Sequence, residues 1–196
     1  MSLLRPPLKL WGKPNKPFNP IAAKTRLRVN GGVGHRKGRM FGLFKSRPFT
    51  DELLGELRRS SGAWRGAINL GASAVPLVLT GTREAPNTEA LAIARTVPSQ
   101  YTQWQQLIES AMFQHYLPYA EAVAAGEPGP IDGLPQITQP QEVWPYAFPE
   151  YVSVTKLDGQ LGVEIGYRVV WDDEHTLGAR LQGGRLIELN GSVLRP

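Results

Sequence analysis

The stretch "QLGVEIGYRVVWDDEHTLGARLQGGRLIELNGSV", residues 160–193, decides how the chain folds. Leu161, Val163, Ile165, Tyr167 and Val169 recur at every second position, the period at which side chains of a strand return to one face. The segments "LGARLQ" and "RLIELNGSV" flank Gly183-Gly184, a pair that tolerates the positive φ of a tight hairpin turn. Just upstream, Val152 and Val154 lead into a second such turn, Asp158-Gly159. Four strands in succession joined by short turns predict an antiparallel meander.

The pattern changes toward the N-terminus. Residues 87–125 read as helical, first "NTEALAIARTV" and then "PSQYTQWQQLIESAMFQHYLPYAEAVAAG". In the second piece Tyr101, Trp104, Ile108, Met112, His115 or Tyr116, and Tyr119 recur at spacings of three and four, so one face is apolar. Pro118 is expected to kink or end that helix. Before it, "AWRGAINLGASAVPLVLTG" sets Trp64, Gly66, Ile68 and Leu70 against Arg65, Ala67 and Asn69, then turns into Val75–Leu79, a hairpin. Pro76 places its second strand at an edge or marks the start of that strand. "PFTDELLGELRRSSG" puts Phe49, Leu53, Leu54 and Leu57 on one helical face with Thr50 as cap, which predicts a short amphipathic helix. The proline-rich stretch 126–142 reads as a surface connector. The fold class expected is α+β: an antiparallel sheet, made of the N-terminal hairpin plus the C-terminal meander, with helices packed on one face.

The 196 residues are 41% hydrophobic and 20% charged, as expected of one stable globular domain. The chain has no cysteine, which excludes disulfides, thiolate metal sites and cysteine nucleophiles and is compatible with a reducing compartment. No apolar run approaches the roughly 18 residues of a membrane span, so the expected location is the cytoplasm. The net charge of +5 is unevenly spread: residues 1–39 hold ten Lys and Arg and no acid, leaving twelve basic against seventeen acidic residues from Met40 onward. With five prolines and "NGGVGHRKG", residues 1–39 read as a basic tail, disordered or preceding the true start at "MFGLFKSRPF". If the tail is part of the protein, Lys24, Arg26, Arg28, Arg36, Lys37 and Arg39 are its nucleic-acid candidates, because clustered cations release phosphate-bound counterions. The domain proper is expected over 40–196.

The densest polar cluster is Trp171, Asp172, Asp173, Glu174 and His175, placed where the strand ending at Trp171 passes to one beginning near Leu177. One reading is a turn in which the aspartates accept backbone N–H groups and Trp171 is core. The alternative is a metal-assisted enzyme in which Asp172, Glu174 and His175 bind a cation, with Glu109 or His115 as distant ligands. Consecutive residues of an extended chain point in different directions, which favours the turn. No G-x-S-x-G, H-E-x-x-H or phosphate-loop spacing occurs, so no cofactor or catalytic residue is assigned. The aromatics Trp144, Tyr146 and Phe148 in "EVWPYAFPEY" are candidate protein-binding anchors where exposed, and core otherwise.

The segment "YRVVWDDEHTLGARLQGGRLIELNGSV" resembles the C-terminal part of a family of uncharacterised bacterial domains, in which a strand ends in Trp-Asp-x-Glu-His and a Leu-Gly strand and glycine-containing hairpin follow. Trp171, Asp172, Glu174, His175, Leu177 and Gly178 carry the resemblance. It implies a small bacterial accessory protein, with an immunity-like role as one form, and it implies no activity. The sequence reading therefore leans away from an enzyme and toward a protein whose partner is another protein.

Overall fold

The structure is a computed structural model and describes residues 46–130, 133–193 and 196. The expectations for residues 1–39 and for a start at Met40 lie outside the described residues.

Eight strands form one sheet in chain order: β1 (Phe49–Asp51), β2 (Gly55–Ser60), β3 (Ala63–Leu70), β4 (Ser73–Leu79), β5 (Ala147–Leu157), β6 (Gln160–Val169), β7 (Asp172–Gln182) and β8 (Arg185–Val193). Every neighbouring pair is antiparallel except β4 and β5, which run parallel. A parallel pair needs a long crossover. The crossover contains one helix, α1 (Thr88–Ala124), an extended stretch, and a 3₁₀ helix at Pro140–Tyr146. The α+β class holds, with α1 on one face of the sheet.

The alternation read from the sequence defines that inner face. Trp64, Ile68, Leu70, Leu77, Val152, Val154, Val163, Ile165, Tyr167, Val169, Leu177 and Leu181 are all buried there with α1. From the helix side come Ala90, Leu91, Ala94, Val97, Tyr101, Trp104, Ile108, Met112 and Tyr116, the expected three-and-four spacing.

Three local expectations are corrected. The helix predicted from Pro48 is instead the β1–β2 hairpin. Asp51 bends the chain by accepting Leu53 N and Leu54 N, each at 3.0 Å, and Gly55 closes the turn at φ +70°. Arg95 of α1 then grips the other Asp51 oxygen at 2.6 Å and holds its carboxyl below the usual range. The leucine spacing serves the hairpin as well: Leu57 is fully buried over Gly66, while Leu53 points to solvent.

The second correction concerns α1, which is continuous through Pro98 and Pro118 rather than broken or ended there. Each proline forfeits one backbone hydrogen bond, but nine buried apolar residues on one face bind the helix to the core. Thr96 and Ser99 return their hydroxyls to the carbonyls of Ile93 and Thr96 on either side of Pro98. The same connection explains the shortened connector: the 3₁₀ helix begins at Pro140, inside the stretch read as surface linker.

Third, the turn before β7 is shorter than expected, and the acidic cluster lies in the strand itself. Val169 pairs with Asp172 and Arg168 with Thr176. Asp173, Glu174 and His175 are thus extra residues on β7, an outward bulge with no counterpart on β6.

Candidate functional site

Two polar assemblies stand out, one where α1 meets the start of β7 and one on the outer face of the sheet.

At the first, Asp172 is 6% exposed and its carboxylate gathers three donors. Tyr119 of α1 donates its hydroxyl to Oδ2 at 2.8 Å, and the backbone N–H of His175 donates to Oδ1 at 3.2 Å. His175 Nδ1 lies 2.9 Å from Oδ1 and 3.2 Å from Oδ2. A carboxylate can only accept, so Nδ1 carries the proton and Nε2 is left outward. Burial and the neighbouring Asp172 carboxylate push the Tyr119 hydroxyl far above its ordinary pKa. Beside it, Trp171 Nε1 donates to His115 Nδ1 at 3.1 Å, and burial holds His115 below its ordinary value. Neutral His115 therefore keeps its proton on Nε2, which faces Gly191 of β8, where an added Cβ would lie 3.3 Å away.

Of the five clustered residues the structure brings Asp172 and His175 into contact beside Trp171, while the side chains of Asp173 and Glu174 are exposed on the bulge. Trp171 is core, at 1% exposure. Among the described residues no three His, Asp or Glu come together as a metal site. The distant ligands fare likewise: His115 is committed to Trp171, and Glu109 binds the 3₁₀ helix. Trp144 Nε1 donates to Glu109 Oε2 at 2.7 Å and Gln141 Nε2 to Oε1 at 3.3 Å. The assembly is a clamp that ties the last turns of α1, beyond Pro118, to β7.

The second assembly was not foreseen, apart from Phe148. A bulge in β5 between Pro149 and Tyr151 turns Glu150 and Tyr151 to the same outer face as Phe148. Register then aligns Phe148, Arg168, Thr176 and Val193 across β5 to β8. Arg168 lies 4.6 Å over the Phe148 ring, and Glu150 sits 3.7 Å from Arg168 and accepts from Thr176 Oγ1 at 3.4 Å. Phe148 is 40% exposed. Of the three aromatic anchors, Trp144 and Tyr146 are half-buried against the core and only Phe148 faces outward.

A parallel row, Arg65, Val78, Ser153, Glu164, Arg180 and Glu188, crosses from β3 to β8. Tyr151 packs over Gly166 and donates to Glu164 Oε1 at 2.8 Å; Arg180 donates to Glu164 Oε2 at 2.7 Å and also to Glu188. Burial, then the Glu164 carboxylate, pushes Tyr151 well above its ordinary pKa. Among the described residues, no buried side-chain polar atom lacks a hydrogen-bond partner. Alternating charges on successive strands were the available signal, but the bulges in β5 and β7–β8 hide which residues face each other.

No helix among the described residues is long and apolar enough to cross a membrane. No curated protein and no solved structure matches the chain. Residues 53–193 match a family model described as a domain of unknown function (DUF6985), and the chain belongs to that family.

Proposed function

We propose that this domain is a protein-binding module, non-enzymatic and accessory or immunity-like, working in a bacterial cytoplasm. The observation that carries the reading is the Phe148–Arg168 pair. An exposed aromatic under a guanidinium, both held by a strand bulge, has the composition of an interface hot spot, in which Arg and aromatics supply most of the binding energy. Glu150 beside Arg168 orients the guanidinium, so less side-chain entropy is lost on docking. The cysteine-free chain suits a reducing compartment. The test is affinity capture from the native host with wild type beside Phe148→Ala/Arg168→Ala. Neither side chain belongs to the buried core, with Phe148 40% and the Arg168 side chain 53% exposed, so the variant keeps its fold. A reproducible protein retained by wild type and lost by the variant is the expected outcome. An identical captured set from both rejects the reading.

A second reading, an enzyme at the Asp172–His175 pair, is favoured by the fixed tautomer that leaves His175 Nε2 outward, as a general base requires. Thermal melts of wild type and His175→Ala with and without zinc test it. A zinc-dependent rise confined to wild type promotes it, and identical responses reject its metal-assisted form.

A further inference from the structure

Trp171 sits between the end of β6 at Val169 and the start of β7 at Asp172, with its indole in the core at 1% exposure. An indole N–H can only donate, so burying it requires an acceptor. That acceptor is Nδ1 of His115 on α1, at 3.1 Å. The same imidazole lies 5.5 Å from the ring of Tyr119, the residue that reaches Asp172, and its Nε2 faces Gly191 of β8. One side chain therefore joins α1 to the β6–β7 turn and to β8, and it holds Trp171 only in its neutral form. An imidazolium carries a proton on both nitrogens and has no lone pair left to accept with.

We propose that the His115–Trp171 pair is a pH-sensitive latch: acidification protonates His115, removes the acceptor of the buried Trp171 N–H, and releases the C-terminal part of α1 from β7 and β8. The titratable groups that face the imidazole are Asp172 and His175 from β7 and Tyr119 from its own helix, while β8 presents Gly191 there. Asp172 favours the cation, but its carboxylate already accepts from Tyr119 and from the backbone and ring N–H groups of His175. Burial outweighs that attraction and a charged His175 adds repulsion, so His115 protonates below the ordinary histidine value. With the folded value depressed, the contribution of the latch to stability is complete above pH of about 6.5 and is lost as pH falls from there through the folded value. The latch lies on the inner side of the sheet, away from Phe148 and Arg168, and does not depend on the binding proposed there.

The test is urea unfolding of the full chain from about pH 7.5 to about pH 5, with wild type beside His115→Asn, whose carboxamide oxygen takes the place of Nδ1 and accepts without titrating. Below about pH 6.5 the wild-type unfolding equilibrium constant is expected to rise against that of the variant, by up to about tenfold per pH unit. Both chains keep His175, so its titration cancels in the comparison. Wild type alone supplies a second readout that needs no variant to fold: in ¹H–¹⁵N spectra the Trp171 indole resonance should move as His115 protonates, with a midpoint below the ordinary 6.5. Equal pH dependence in wild type and His115→Asn overturns the latch, and so does a Trp171 indole resonance that stays in place across the titration.

Discussion

Raising the pH should unfold this domain steeply, because its core protects tyrosine hydroxyls from ionising. Tyr101, Tyr151 and Tyr167 are 6%, 3% and 0% exposed, and burial is the first cause that raises each above the ordinary value of 10.0. Tyr167 donates to Tyr101 at 3.3 Å and Tyr151 donates to Glu164, so each folded hydroxyl keeps its proton where the unfolded chain releases it. The raised folded pKa fixes the sign. The contribution is fully present below pH of about 10 and is lost as pH rises from there toward the folded-state values. Each tyrosine contributes a slope of about 1.4 kcal/mol per pH unit, and three give about 4 kcal/mol per unit. Each slope ends at that tyrosine's folded-state value, so a domain with about 5 kcal/mol in hand unfolds about one unit above pH 10. Tyr119 adds to the slope, but it is only partly buried and is left out of the figure. Urea melts at stepped pH give the slope, and absorbance of tyrosinate gives ionisation directly. Tyr167→Phe should reduce the slope by about one third. An unchanged slope in that variant, or full tyrosinate absorbance near pH 10 with the native circular dichroism intact, refutes the reasoning.

Four further outcomes follow from particular contacts. Asp172→Ala strands the Tyr119 hydroxyl and the His175 N–H and should cost about 2–3 kcal/mol, whereas His175→Ala, on a side chain 44% exposed, should cost under about 1; equal losses in urea melts refute Asp172 as the hub. A Glu109→Gln and Trp144→Phe double-mutant cycle should show a coupling of about 1.5–3 kcal/mol, and additive effects mean that Trp144 is not held by the carboxylate. Gly166→Ala puts a Cβ 2.1 Å from the Tyr151 ring and should cost about 1–3 kcal/mol, a penalty that shrinks when Tyr151 is truncated to Ala; persistence of the full cost there refutes the clash. Pro118→Ala restores a backbone donor on the exposed side of α1 and should raise the melting temperature, by about 1 kcal/mol or more of stability; a drop means that the proline is required for the α1 geometry that brings Tyr119 to Asp172.

The strands from Val152 to Val193 were legible because alternation is a local property. A side chain two residues along returns to the same face whatever the rest of the chain does, and paired glycines admit the turns between. The apolar stripe of α1 was legible for the same reason. What the local rules misjudged was continuity and identity. Leu53, Leu54 and Leu57 satisfy a helical spacing as well as a hairpin, and the decision fell to Arg95, which is forty-four residues away along the chain and closes on Asp51. Pro98 and Pro118 are breakers in isolation, and only burial against a finished sheet makes an unbroken α1 the lower state.

The candidate sites divide along the same line. That Asp172 and His175 are neighbours is written in the sequence, whereas Phe148 was named only alongside Trp144 and Tyr146, and burial separated the three. That Tyr119 completes the Asp172 clamp, that Glu109 belongs to Trp144, and that Arg168 covers Phe148 were decided only by register and by the docking of α1. One bulge in β5 and others in β7 and β8 change which side chains face each other, and a one-residue shift moves a strand's whole set of side chains to the opposite face. By itself the sequence determined the period of α1 and of the strands from Val152 onward, and the charges they carry. Tertiary structure alone decided which of those charges and rings meet, because hydrogen bonds and cation–π contacts act over a few ångströms while their partners lie tens of residues apart.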